Sequence, residues 1–113
     1  MKAALLFALA LFASQPACAG GDSAAGAAKS RPCASCHGAD FNTPISADIP
    51  RLAGQHADYL ARALADYKSG ARKHALMNSQ AAALSPQDMQ DLAAYCQSLS
   101  GSLKVIPLHR LVH

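Results

Sequence analysis

Cys33-Ala34-Ser35-Cys36-His37 is the stretch that decides how this chain is read. Two thiols three positions apart, followed at once by an imidazole, form the C-x-x-C-H signature of c-type haem attachment. The spacing has a physical reason. Thiols so placed near a helix end can reach the two vinyl groups on one edge of a porphyrin. The next residue is then held under the iron, where an imidazole nitrogen can bind it. Covalent attachment also joins cofactor to chain, so haem burial becomes part of the folding energy.

Three other readings compete for the same residues. The cysteines could be a thiol–disulfide redox pair activated at a helix start, half of a zinc site completed by His37, or a plain structural pair. The redox pair wants a strand–helix context in an α/β domain. The zinc site wants a second Cys/His cluster. The sequence offers neither, and one motif implies one haem c, held through Cys33 and Cys36 with its iron on His37.

Working outward, Met1-Lys2 gives a positive start and Ala3 to Ala13 is an unbroken apolar run. Ser14-Gln15-Pro16 breaks it, and small residues flank a cut site in Ala17-Cys18-Ala19. That order is a secretory signal peptide over 1–19, too short to span a bilayer comfortably. A membrane anchor and a lipid-modified Cys18 are the alternatives, and the residues before Cys18 lack the aliphatic residue of a lipoprotein signal. Export implies the periplasm. It leaves Cys33, Cys36 and Cys96, an odd number that argues against a disulfide framework.

The remaining domain is small enough for its core to be marginal without a cofactor or staple. Formal charge falls from +3 for the whole chain to about +2 without Lys2. Two haem propionates bring that near neutral, so nothing points to nucleic acid. The chain has no Glu, no Trp and much Ala. Ala is the best helix former, and no period-two alternation of useful length occurs. The expected fold class is all-α, with a domain over 20–101 and a C-terminal tail over 102–113.

Four segments follow the leader. A helix is expected from about Asp22 to Ser35, capped by Asp22 or Ser23. A loop from Gly38 to Gly54 is broken by Pro44 and Pro50. A helix from about Gln55 to Ser69 presents Tyr59, Leu60, Ala63, Leu64 and Tyr67 on one apolar face and stops at Gly70. A short turn over Asn78 to Leu84 precedes the last helix. There Ser85 caps, Pro86 is first, Asp88 completes a capping box, and Met89, Leu92, Ala93, Cys96 and Leu99 form the stripe up to Gly101.

An electron carrier closes its iron on both faces, so that reduction moves few atoms. Met77, in a loop between helices, is the candidate sixth ligand; a thioether there raises the potential. Met89 lies in the last helix's stripe and reads as core. His74 is the rival ligand, and His56, His109 and His113 are weaker ones.

Taken together and in order, Cys33 to His37, Pro50-Arg51-Leu52-Ala53-Gly54-Gln55, Tyr59-Leu60, Tyr67-Lys68-Ser69-Gly70-Ala71-Arg72, Met77 and Leu92-Ala93-Ala94-Tyr95 resemble a class I cytochrome c. More narrowly, the set is similar to the small monohaem bacterial periplasmic type and to one domain of the dihaem periplasmic cytochromes. The resemblance covers about Asp22 to Ser100; the tail lies outside it. It implies helices wrapped round one haem with an exposed edge, and His37 and Met77 as axial ligands. It implies that the Pro50 carbonyl accepts from the His37 ring, which orients the ligand. It also implies a close crossing of first and last helices at Gly26, near Tyr95 or Leu92, and places Tyr67 and Arg72 near the haem, Arg72 facing a propionate.

The expected function is periplasmic one-electron transfer, not an enzyme. Partners would be redox proteins, such as a membrane complex, an oxidase or a reductase, with peripheral contact at membrane complexes. The alternative is a haem c subunit of a larger periplasmic redox enzyme complex. Cys96 reads as a buried small hydrophobe in a monomer, with a Cys96-linked dimer as the sharper reading.

Overall fold

The computed structural model describes residues 20–103. The expected leader 1–19 and most of the tail 102–113 therefore lie outside the described residues. Among these residues five helices follow one another: α1 Ser23–Lys29, α2 Arg31–His37, α3 Ala57–Ser69, α4 Ala75–Ala82 and α5 Pro86–Ser98. No strand occurs among the described residues, and the fold is all-α.

Local chemistry sets most boundaries. The Asp22 carboxylate accepts from the backbone N–H of Ala24 (2.8 Å) and Ala25 (3.2 Å), closing the start of α1. Ser85 and Asp88 form the expected capping box on α5, with Pro86 in its first turn. Gly70 ends α3 with φ +82°, in the left-handed region.

Two expected elements differ. The single helix read over Asp22–Ser35 is two helices. The chain turns at Ser30, whose hydroxyl donates to the Ala27 carbonyl at 2.8 Å, and Pro32 can supply no N–H to continue the ladder. α2 then runs on through His37. The second difference concerns Met77. It is not in a loop: α4 starts at Ala75, so Met77 sits in its first turn, and the expected turn over Asn78–Leu84 covers only the later part of that helix.

α1 crosses α5, and α3 packs on both α5 and α4. The α1–α5 crossing is close because Gly26 has no side chain. A Cβ there would overlap the Asp91 carbonyl and lie 2.8 Å from the Tyr95 Cβ. Buried Asp91 (3% exposed) fastens the same joint. It accepts from Asp22 N (2.8 Å), Gln87 Nε2 (2.8 Å) and Lys29 Nζ (2.7 Å), and Lys29 also meets Asp88 at 2.9 Å. The core cluster beside it is made mostly of small residues, Ala53, Ala61, Ala93 and Cys96, with Leu60 and Phe41. Among the described residues Phe41 is the one large side chain fully buried, its ring edge-on to Tyr95 at 5.7 Å.

Two outcomes follow from this joint. Gly26→Ala forces the helices apart and should lower stability by at least the roughly 1–3 kcal/mol of ordinary overpacking, read by urea or thermal unfolding. The carboxyls of Asp88 and Asp91 are both held down from 3.8 to about 2, first by the Lys29 hydrogen bond. Groups depressed on folding stabilise fully above their unfolded value, and that stability is lost as pH falls from about 4 through 2. The melting temperature should fall across that window, and Asp91→Asn should lower it at pH 7 and flatten the acid fall.

Candidate functional site

The chain's apolar faces converge on a cavity of about 540 Å³. That volume falls within the roughly 300–1,000 Å³ of small-molecule and cofactor sites. All five residues of the expected α3 stripe line it, from Tyr59 to Tyr67, and so do Leu92, Ala93 and Cys96 of α5. This explains why much of the α3 stripe is only half buried: that face looks into the cavity rather than onto another helix.

α2 brings Cys33, Cys36 and His37 to the cavity, the following loop brings Pro50, and α4 brings Met77. The five residues singled out from sequence therefore line one space. His37 is 7% exposed and its Nδ1 lies 2.8 Å from the Pro50 carbonyl oxygen. A carbonyl only accepts, so Nδ1 carries the proton. The neutral ring then keeps its lone pair on Nε2, the form that binds a metal. The loop that supplies Pro50 is fixed on both sides. The Phe41 carbonyl accepts from Leu52 N (2.8 Å) and Ala53 N (2.9 Å), and Ile45 N donates to the Cys36 carbonyl at 3.0 Å.

His74 also lines the cavity, with the opposite proton arrangement. Its Nδ1 accepts from Met77 N at 3.4 Å, capping α4. A neutral ring that accepts at Nδ1 carries its proton on Nε2 and has no free lone pair there. Met89 is buried at 5% exposure and is not among the cavity residues, as its place in the α5 stripe suggests. His56 does not line the cavity either, and His109 and His113 lie outside the described residues.

Arg72 lies over the Tyr67 ring, 5.0 Å from its centre, and reaches the Tyr59 hydroxyl at 3.4 Å. All three line the cavity. Cys96 is 5% exposed, and its thiol is pushed up to about 12, chiefly by burial and further by the nearby Cys33. Burial raises Cys33 as well. An intermolecular bond at Cys96 would require α5 to leave the core, so its place is that of a packing residue.

Phe41 and Asn78 escape sequence reading. Phe41 has φ +55°, and the signal that could have located it is Asp40. That carboxylate accepts from Asn42 N (2.9 Å) and Thr43 N (2.8 Å), a turn that swings Phe41 inward. Asn78 gives no local sign of its contacts.

The donor set fits a covalently held haem: two thiols and an imidazole with a free Nε2 on one short helix, a thioether on another, and apolar walls. The alternatives lack their requirements. Among the described residues no group of three or more His, Cys, Asp or Glu is placed to hold a metal ion, and no strand supports a thiol–disulfide α/β domain.

Known proteins agree with this geometry. Residues 23–100 match the Cytochrome c family. Cytochrome c4 of Pseudomonas aeruginosa is 46% identical over 80 residues, covering 71% of this chain and 39% of that one. A thiosulfate dehydrogenase electron acceptor of Stutzerimonas stutzeri is 45% identical over 67 residues, covering 59% and 31%. The crystal structure of reduced cytochrome c4 from Pseudomonas stutzeri superposes with TM-score 0.68 at 39% identity, covering 74% of this chain and 48% of that one. The chain thus spans less than half the length of each of these relatives. With the family model running from α1 to the end of α5, across every element that lines the cavity, the chain belongs to the cytochrome c family and carries covalently bound haem c.

Proposed function

We propose that this chain is a periplasmic one-electron carrier whose single haem is joined through Cys33 and Cys36 and whose iron is held between His37 and Met77. The observation that carries the ligand assignment is the contrast between two histidines lining one cavity. His37 donates through Nδ1 to Pro50 and leaves Nε2 free, whereas His74 accepts through Nδ1 and does not. Met77 is then the soft donor available on the other helix.

The haem, when bound, supplies a ferric–ferrous couple that takes and gives one electron. The chain does the rest. Pro50 fixes the His37 ring and raises its basicity. The Met77 thioether favours the ferrous state and so a higher potential. Leu60, Leu64 and Leu92 exclude water and keep reorganisation small. The Arg72 guanidinium, held on Tyr67, places a positive charge beside the cavity where a propionate would be stabilised.

Ile45, Tyr59 and Leu76 are exposed at 69%, 51% and 51%. Tyr59 and Leu76 line the cavity, and Ile45 is bonded through its amide to Cys36. A rim that exposes such apolar groups suits brief contact with redox proteins, among them a membrane complex, an oxidase or a reductase. One relative is named as the electron acceptor of a dehydrogenase, which supports a carrier rather than an enzyme. The same rim also favours the second reading, a haem c subunit of a larger redox complex. Purification from the native host separates the two: a carrier elutes alone, a subunit with another chain. Export rests on the leader-like residues 1–19, with Gly20 as the first residue of the mature chain.

Expressed with that leader in a host that attaches haem in its periplasm, the chain should give a low-spin spectrum with a weak far-red band when oxidised. Met77→Ala should abolish that band, admit small ligands to the iron and lower the potential; unchanged exclusion of ligands would move the assignment to His74. Replacing Cys33 and Cys36 together by Ala should give a colourless, poorly folded product, because haem burial is part of this small domain's stability. A stable, helical double variant would show that the haem is dispensable to the fold.

A further inference from the structure

The end of α4 that carries Met77 has little apolar anchorage. Every residue from Ala71 to Leu76 is exposed, and the one buried residue of α4 is Ala81, near its far end. What fixes the near end is the Asn78 side chain. Its amide nitrogen donates to the Tyr67 carbonyl (2.7 Å), at the close of α3, and to the Arg72 carbonyl (2.9 Å), in the connecting loop. Its amide oxygen accepts from His74 N at 2.8 Å. Both amide protons and one acceptor site are thus spent on backbone groups of the segment that precedes Met77. The Asn78 backbone N–H also bonds the His74 carbonyl at 2.8 Å, so side chain and main chain close the same loop.

We infer that Asn78 is the positioning residue for Met77: it clamps the α3–α4 connection and so holds the thioether on the iron. This rests on the Met77 ligation proposed above. Without the clamp the first turn of α4 loosens, Met77 leaves the iron more often, and an added ligand competes more easily. The lost hydrogen bonds act on the open–closed balance of one ligand rather than on haem attachment, which resides in α2.

The test uses the full haem-loaded chain in three variants, Asn78→Ala, Asn78→Asp and Asn42→Ala. Asn78→Asp keeps the acceptor and loses both donors. Asn42 is the comparison: its side-chain oxygen clamps Ser102, with distances of 2.9 Å to N and 3.0 Å to Oγ, and it does not line the haem cavity. Imidazole is titrated onto the ferric protein while the far-red band and helical circular dichroism are followed. Both Asn78 variants should keep haem and helix and bind imidazole about tenfold more tightly, the equivalent of about 1.4 kcal/mol. Their far-red bands should weaken at a lower temperature than the helices melt. Asn42→Ala should match the unaltered chain. Unchanged imidazole affinity in the Asn78 variants overturns the proposal while leaving Met77 as ligand. An equal rise in Asn42→Ala, or loss of helix in both Asn78 variants, overturns it by making the role general to folding. An unaltered chain with no far-red band removes the Met77 reading itself, and the clamp's role with it.

Discussion

The contact on which the rest of the molecule depends is the hydrogen bond from His37 Nδ1 to the Pro50 carbonyl, 2.8 Å long. It links the end of α2 to a loop that must run back across the cavity, and it decides which ring nitrogen faces inward. For the bond to hold, the loop has to stay put. That accounts for Phe41, a bulky residue at φ +55°, a conformation that ordinarily costs on the order of 1–3 kcal/mol. Its ring is 1% exposed against Tyr95, and its carbonyl accepts from the successive N–H groups of Leu52 and Ala53. Burial and two hydrogen bonds offset the strain, and together they deliver Pro50 to His37.

Around that contact the molecule has two kinds of joint. The α1–α5 crossing is made by protein alone: Gly26 lets the backbones meet and Asp91 ties three separate donors to one carboxylate. The α3 and α5 faces toward the cavity are different. Their residues are too small or too far apart to fill the space between them, so much of the apolar surface they offer is paired only when a large flat cofactor lies there. A domain of this size has little core to spare. Giving its centre to the cofactor makes folding and cofactor retention one process, while the crossing at Gly26 keeps α1 on α5.

What the sequence disclosed was whatever local chemistry determines. The C-x-x-C-H run, the Ser85–Asp88 capping box, the stop at Gly70 and the apolar stripes of α3 and α5 each follow from a few adjacent residues. Each is where it should be except at the end of α5, which stops at Ser98 with Leu99 as an extended cap rather than running to Gly101. The split at Ser30 was harder to read, because Ala-rich helix propensity on both sides outweighs one Pro in a pattern search. The helical start of α4 was hidden for another reason. Its cap is a histidine, a rare choice, and its clamp reaches from Asn78 back to Tyr67, eleven residues away. Phe41 was hidden in the same way, since a left-handed aromatic is decided by what it packs against. The Asp91 cluster joins residues 62 and 69 positions apart and leaves no trace in any window of sequence.

Ligand choice shows the same dependence on backbone. By composition His74 and Met77 are both able to bind iron, and imidazole is the commoner ligand in proteins. In this structure the His74 ring differs in having one lone pair turned toward a backbone donor. The Met77 N–H occupies His74 Nδ1, at the first turn of a helix where free N–H groups need acceptors. One long hydrogen bond, 3.4 Å, thus caps α4 and turns the His74 Nδ1 lone pair toward the amide of the residue proposed as ligand. His37 reaches the opposite state because its neighbour is a carbonyl rather than an amide. Two rings of identical chemistry thus meet backbone groups of opposite polarity, and each ring's tautomer follows from the group it meets.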